Sequence, residues 1–250
     1  MNGHNTHNPL ASVTGLFGKL PAHGDFIHRN LPTKLINEWD SWLQTFVGST
    51  QERLGDAWLE IYLTSPIWRF CLSAGTLDGN AWAGIWLPSV DRVGRYFPFS
   101  ILRRLPERTS LTAFMAHQNG WFEGLEMLAL KALDGQLPVD RLVDELSLLK
   151  PSVGDGYRYQ GPSHPDAGVV VDLDFDDPAV TPALPHLLDA FVAGTFNSYS
   201  LWSTSGSERV EPCIFVTPAM PAVAGAAAML DGLWEDWEWS VPVRPLRAHV

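Results

Sequence analysis

Three residues near the start of the chain could do chemistry together: His23, Asp25 and His28, in PAHGDFIHRN. Two imidazoles and a carboxylate within six positions have the donor types of a metal site or an acid/base pair. The same residues also suit a turn, in which Gly24 admits unusual dihedrals and Asp25 accepts local backbone hydrogen bonds. A second group lies in PSVDRVGRYFPF, where Asp91, Arg92 and Arg95 crowd around Gly94. Two guanidinium groups at a bend could grip a carboxylate or phosphate on a partner in fork geometry. The competing reading is an internal ion pair, with Asp25 or Asp91 neutralising an arginine that orders the turn.

Other signatures fail on spacing. GLFGKL places Gly15 and Gly18 too close for a phosphate loop, and Leu20 stands where the magnesium-binding hydroxyl belongs. GDGYRYQG sets Gly161 too far from Gly156 for a dinucleotide fingerprint. Neither a GxSxG elbow nor an HExxH pair occurs in the sequence. No catalytic residue, metal ligand set, cofactor or small-molecule substrate is therefore expected, and the alternative enzyme would be a small hydrolase built on His23 and Asp25.

Composition narrows the partners. Seventeen basic against twenty-eight acidic residues give a net charge of −11, which opposes phosphate backbones and anionic lipid, so nucleic acid is not expected; the longest apolar tract, from Cys213 to Leu230, is broken by Pro218 and Pro221, so membrane insertion is not expected either. Cys71 and Cys213 lie in apolar runs without CxxC spacing and read as reduced, buried thiols. Eleven Trp and twelve Phe supply ample core area, at roughly 150–250 Å² per buried aromatic. The late aromatics Tyr199, Trp202, Trp234, Trp237 and Trp239 fit either core or interface.

The elements that must hold these residues follow from periodicity. Leu35, Ile36, Trp39, Trp42, Leu43 and Phe46 recur at helical spacing between Pro32 and Gly48, with Thr33 as a potential cap. Runs 67–73, 81–87 and 97–105 predict an antiparallel meander whose second strand, apolar on both faces, is central. A long helix over 111–133, weakened by Gly120 and Gly124, precedes a second over 139–149. Residues 150–165 predict a loop, 168–173 a strand, 178–194 a helix, 197–204 and 212–217 strands, and 219–234 a helix. WEDWEWS alternates as a closing edge strand would. The order predicts an α+β fold with a central antiparallel sheet flanked by helices, residues 1–12 a flexible leader and 13–250 a single domain.

Motif by motif, the sequence resembles the TagF/ImpM family of type VI secretion accessory proteins. GLFGKLPAHGDFIHRNLP, WDSWLQ, SPIWRF, PSVDRVGRYFPF and SYSLWSTSG occur in the family's order between Gly15 and about Gly206. The resemblance implies a longin-like fold and a cytoplasmic, post-translational negative regulator that binds an FHA-domain scaffold protein. Some relatives carry a PP2C-type phosphatase domain, whose length and aspartate pattern are not found here, which implies a stand-alone regulator. A structural subunit of the apparatus is a further alternative. Asp25, Arg29, Asp91, Arg92 and Arg95 are expected to form one polar cluster, either shaping the docking face or contacting the partner.

Overall fold

Alternation in WAGIWL decides the architecture, because it sends Trp82 and Trp86 to one side of a strand and Ala83, Ile85 and Leu87 to the other. A strand apolar on both sides must lie inside a sheet covered on both faces. The computed structural model describes residues 14–152, 168–176 and 178–244. Among them, seven strands form one antiparallel sheet: β1 (Thr14–Gly18), β2 (Ile27–Arg29), β3 (Trp68–Leu72), β4 (Trp82–Leu87), β5 (Phe99–Arg104), β6 (Tyr199–Thr204) and β7 (Cys213–Pro218). Their order is β2-β1-β5-β4-β3-β6-β7, so β4 occupies the centre and the fold is α+β.

One face is covered by α1 (Thr33–Leu54), which buries Leu35, Trp39, Leu43 and Phe46 along its helical stripe, and by α2 (Trp58–Leu63). Most indoles buried here find acceptors: Trp39 Nε1 donates to Ser100 Oγ at 3.0 Å and Trp68 Nε1 to the Met229 carbonyl at 3.0 Å, while Trp86 Nε1 has none among the described residues. That matters because an unpaired buried donor costs about 1–3 kcal/mol. The other face is covered by α3 (Leu111–His117), α4 (Asn119–Leu133), α5 (Val139–Leu148) and α6 (Leu184–Thr195).

Several expected boundaries move. α1 runs past Gly48 to Leu54, because an exposed helical glycine costs only about 1 kcal/mol while Val47 and Thr50 continue the buried stripe. Its N-cap is Pro32, with no side-chain cap, so Thr33 does not cap it. The long helix expected over 111–133 breaks at Gln118. There the amide side chain pairs with the backbone of Ser152 in both directions, at 3.1 and 2.8 Å. The break lets α3 pack on β3 and β6 while α4 packs on β4. Gly124, by contrast, admits close packing, since a Cβ there would meet the Leu149 side chain at 2.8 Å.

Three expectations fail outright, and a fourth is shortened. Residues 168–173 pair with no strand among the described residues and are mostly exposed. The expected 178–194 helix starts only at Leu184, with Pro185 in its first turn, where a missing N–H is harmless. Residues 219–234 do not form one helix. Gly225 abuts the Trp239 indole at 2.4 Å from a notional Cβ, and the chain there makes a 3-10 turn at Val223–Gly225, a single turn α7 (Ala228–Asp231), and a stop at Gly232 with φ +75°. WEDWEWS is no edge strand either. It coils as a 3-10 turn at Trp234–Trp237, where Trp237 Nε1 donates to Asp231 at 2.7 Å and Trp239 Nε1 to the Gly225 carbonyl at 2.9 Å. The expected leader and most of the 150–165 loop lie outside the described residues.

The tightest point of the sheet is Gly84, where a Cβ would meet the Ile101 carbonyl oxygen at 1.9 Å and the Phe70 ring at 3.0 Å. Backbone on an adjacent central strand cannot yield as a flexible side chain would. Gly84→Ala is expected to lower unfolding free energy by about 3 kcal/mol or more, read as a fall in the urea midpoint; an unchanged midpoint would refute the packing assigned to β4.

Candidate functional site

The β1–β2 connection, residues 19–26, meets the β4–β5 turn, residues 88–98, at one end of the sheet. Asp91 organises the meeting. Its Oδ1 accepts the backbone N–H groups of Val93 at 3.0 Å and Arg95 at 2.9 Å, which closes the turn around Gly94, whose φ is +87°. Its Oδ2 accepts from Arg95 Nε at 2.6 Å and from Lys19 Nζ at 2.5 Å. The carboxylate is fully enclosed and the Lys19 side chain is 6% exposed, so the charges meet out of water.

Burial alone would raise the Asp91 pKa. The Lys19 ammonium and the Arg95 and Val93 donors overcome it and hold the carboxyl well below its ordinary 3.8. Beneath the turn, Ser89 Oγ donates to the Lys19 carbonyl at 2.7 Å, and Tyr62 Oη both accepts from Ser89 N at 3.0 Å and donates to its carbonyl at 3.2 Å. Burial drives the Tyr62 phenol far above its usual range, with the Ser89 bond pulling weakly the other way, so it stays protonated as a fixed donor.

The loop is fastened across the gap by backbone groups. Arg92 N donates to the His23 carbonyl at 2.9 Å, and Arg95 Nη2 donates to the Gly24 carbonyl. Phe26 stacks on Phe17 with ring centroids 5.7 Å apart and meets Phe97 edge-on at 4.9 Å, with the Lys19 ammonium 4.7 Å from its ring. What this frame displays outward is the guanidinium of Arg92, the carboxylate of Asp25, Val93 and one edge of Phe26. Val93 is 65% exposed and Phe26 44%.

The five residues picked from the sequence therefore separate. Asp91 and Arg95 form one ion pair; Arg92 joins it only through its backbone, and its guanidinium has no partner among the described residues. Asp25 is exposed on the same loop, unpaired among those residues. Arg29 stands apart on β2, donating to the His28 carbonyl at 2.9 Å with Asp140 of α5 3.9 Å away. Sequence reading missed Lys19, Ser89 and Tyr62. The one available signal was Lys19 itself, a charge set inside the apolar run LFGKL. Among the described residues no three His, Cys, Asp or Glu gather as a metal site would require, so His23, Asp25 and His28 do not make the metal centre their spacing admitted. Nor is any described helix long and apolar enough to cross a membrane.

An antiparallel α+β module whose buried ion-pair network fixes two surface loops is the class these features define. Residues 15–149 match the model of the TagF N-terminal domain, described as type VI secretion system-associated, and the chain belongs to that family. The crystal structure of PA0076 from Pseudomonas aeruginosa PAO1 superposes with a TM-score of 0.75 at 30% identity. The match covers 95% of this chain and 99% of that one, so the likeness extends to β6 and β7, beyond the residues the family model reaches. No curated protein matches the sequence.

Because the folded Asp91 pKa is depressed, its contribution to stability is fully present above the unfolded value near 3.8 and is lost as pH falls toward the folded value. Unfolding free energy is expected to drop steeply below about pH 4. An Asp91→Asn variant should be less stable at neutral pH and show a shallower decline there; an acid profile unchanged by the substitution would remove Asp91 from the network's energetics.

Proposed function

We propose that this chain is a post-translational negative regulator of type VI secretion that works by binding an FHA-domain scaffold protein in the cytoplasm. Membership of a secretion-associated family supports the system, and the clamped loop pair supports the mode of action. The observation that carries the reading is the unpaired Arg92 guanidinium held beside Val93, Phe26 and Asp25 on backbone that cannot easily move. Binding sites lose affinity when loops and long side chains must be ordered on docking. Here Asp91, Lys19 and Arg95 have ordered the loops beforehand. Exposed apolar surface beside a free cation suits an anchor with a polar rim.

A repressor of this kind acts by mass action, favouring the state of its target to which it binds more tightly, and needs stoichiometric amounts rather than turnover. Asp25 and Arg92 are assigned to the docking surface, Asp91 and Arg95 to its frame, and Arg29 to neither. Capture from bacterial lysate tests this with wild-type protein and an Arg92→Glu variant. The variant is expected to keep its melting temperature and to lose at least tenfold of the captured FHA-domain protein, as reversal of an interface charge costs about 1.4 kcal/mol or more. Equal capture by the folded variant would refute the assigned face. Capture of the assembled apparatus in place of free scaffold would favour a structural subunit instead.

A further inference from the structure

Bordered by the His23 loop and by none of the residues of the Asp91 turn, a cavity of about 330 Å³ opens between β2 and the start of α5. Leu20, Ala132 and Leu137 give it apolar walls, while His23, Arg29 and Asp140 bring polar groups to it. Its volume is that of a small-ligand site. We propose that this cavity binds a small oxyanion, a carboxylate or a phosphate carried on a short apolar body.

Three independent features converge on that chemistry. The first is the cation. Arg29 is half exposed and reaches Asp140 only at 3.9 Å, and Asp140 is 91% exposed, so this is a loose surface pair that contributes little and leaves the guanidinium fork largely unused. The second is His23. Its Nδ1 is enclosed and has no partner among the described residues. A buried lone pair left unpaired costs less than a buried N–H left unpaired, which places the neutral ring's proton on Nε2. Nε2 is not among the enclosed atoms and has no acceptor among the described residues, and the ring that carries this free donor lines the cavity.

The third is the helix. α5, ten residues long, has Pro138 as its N-cap, and no side chain accepts its first-turn amides. The N–H groups of Val139, Asp140 and Arg141 have no acceptor among the described residues, and Pro138, Val139 and Asp140 line the cavity. An anion completing these donors gains both hydrogen bonds and the favourable end of the helix dipole. Asp140 opposes it, being the one negative group in the lining, but its exposure lets it turn away.

The experiment titrates the intact chain with phenyl phosphate, benzoate, inorganic phosphate and the neutral control benzyl alcohol. Binding is read as heat and as shifts of ¹⁵N-labelled histidine ring signals, with the His23 signals identified by their loss in His23→Gln. Saturable binding of an anion that moves the His23 Nε2 signal is expected, with no response to benzyl alcohol. Response to phenyl phosphate alone would mark a phosphate ligand and to benzoate alone a carboxylate; either supports the proposal. Arg29→Ala is expected to weaken binding at least tenfold. Asp140→Asn, at an exposed position that leaves folding intact, is expected to tighten it severalfold by removing the rival carboxylate. No saturable anion binding, equal binding by Arg29→Ala, or weaker binding by Asp140→Asn would overturn the assignment. None of these readouts depends on the FHA-domain partner.

Discussion

A strand that is apolar on both faces leaves the chain no choice but to build two cores, and β4 is such a strand. Trp82 and Trp86 require the α1 and α2 layer; Ala83, Ile85 and Leu87 require the layer of α3 to α6. Aromatic bulk is distributed unequally between them. Trp39, Trp68, Trp86 and Trp202 all belong to the first core, where large rings fill volume and their N–H groups demand acceptors. Three of those four indoles find one, and Trp86 Nε1 does not among the described residues. The second core holds fewer rings, among them the packed trio Phe114, Trp121 and Phe122, within a larger share of aliphatic side chains and with close approach at Gly124.

The buried charges follow a different logic. Placing Asp91 out of water is costly unless nearly every lone pair is used, and the structure gives it two backbone and two cationic donors. Such a network adds little net stability over an apolar replacement, but removal of one member leaves the others stranded. Its effect is geometric. Lys19 follows β1 directly, and Asp91 lies in the β4–β5 turn, so their pair fixes the exit of one strand against the hairpin that includes its neighbour β5 in the sheet. The loops between them inherit that rigidity.

Periodicity made the meander, α1, α5 and the two-sided burial of β4 readable in advance, because each expresses a repeat of two or of three to four residues. What stayed hidden has local causes. β2 is only three residues long, and β1, buried at every position and carrying glycine at two of its five, shows no alternation to register. The C-terminal aromatics alternate as a strand would, yet tertiary contacts of Trp237 and Trp239 with Asp231 and Gly225 override the pattern. Among the polar residues, Asp91 and Arg95 are four apart and could be paired on spacing. Lys19 is 72 positions from Asp91, and only the strand order brings them together.

The two borders of the sheet are unlike. β2 offers only three residues and runs into Pro32 at the start of α1, whereas β7 offers six, with Ile214 and Val216 exposed, but follows Pro212 and ends in Pro218. An open border is a template for further pairing, and short or proline-flanked strands blunt it. Proline therefore stands at both borders, and adding a further strand is opposed on either side of the sheet.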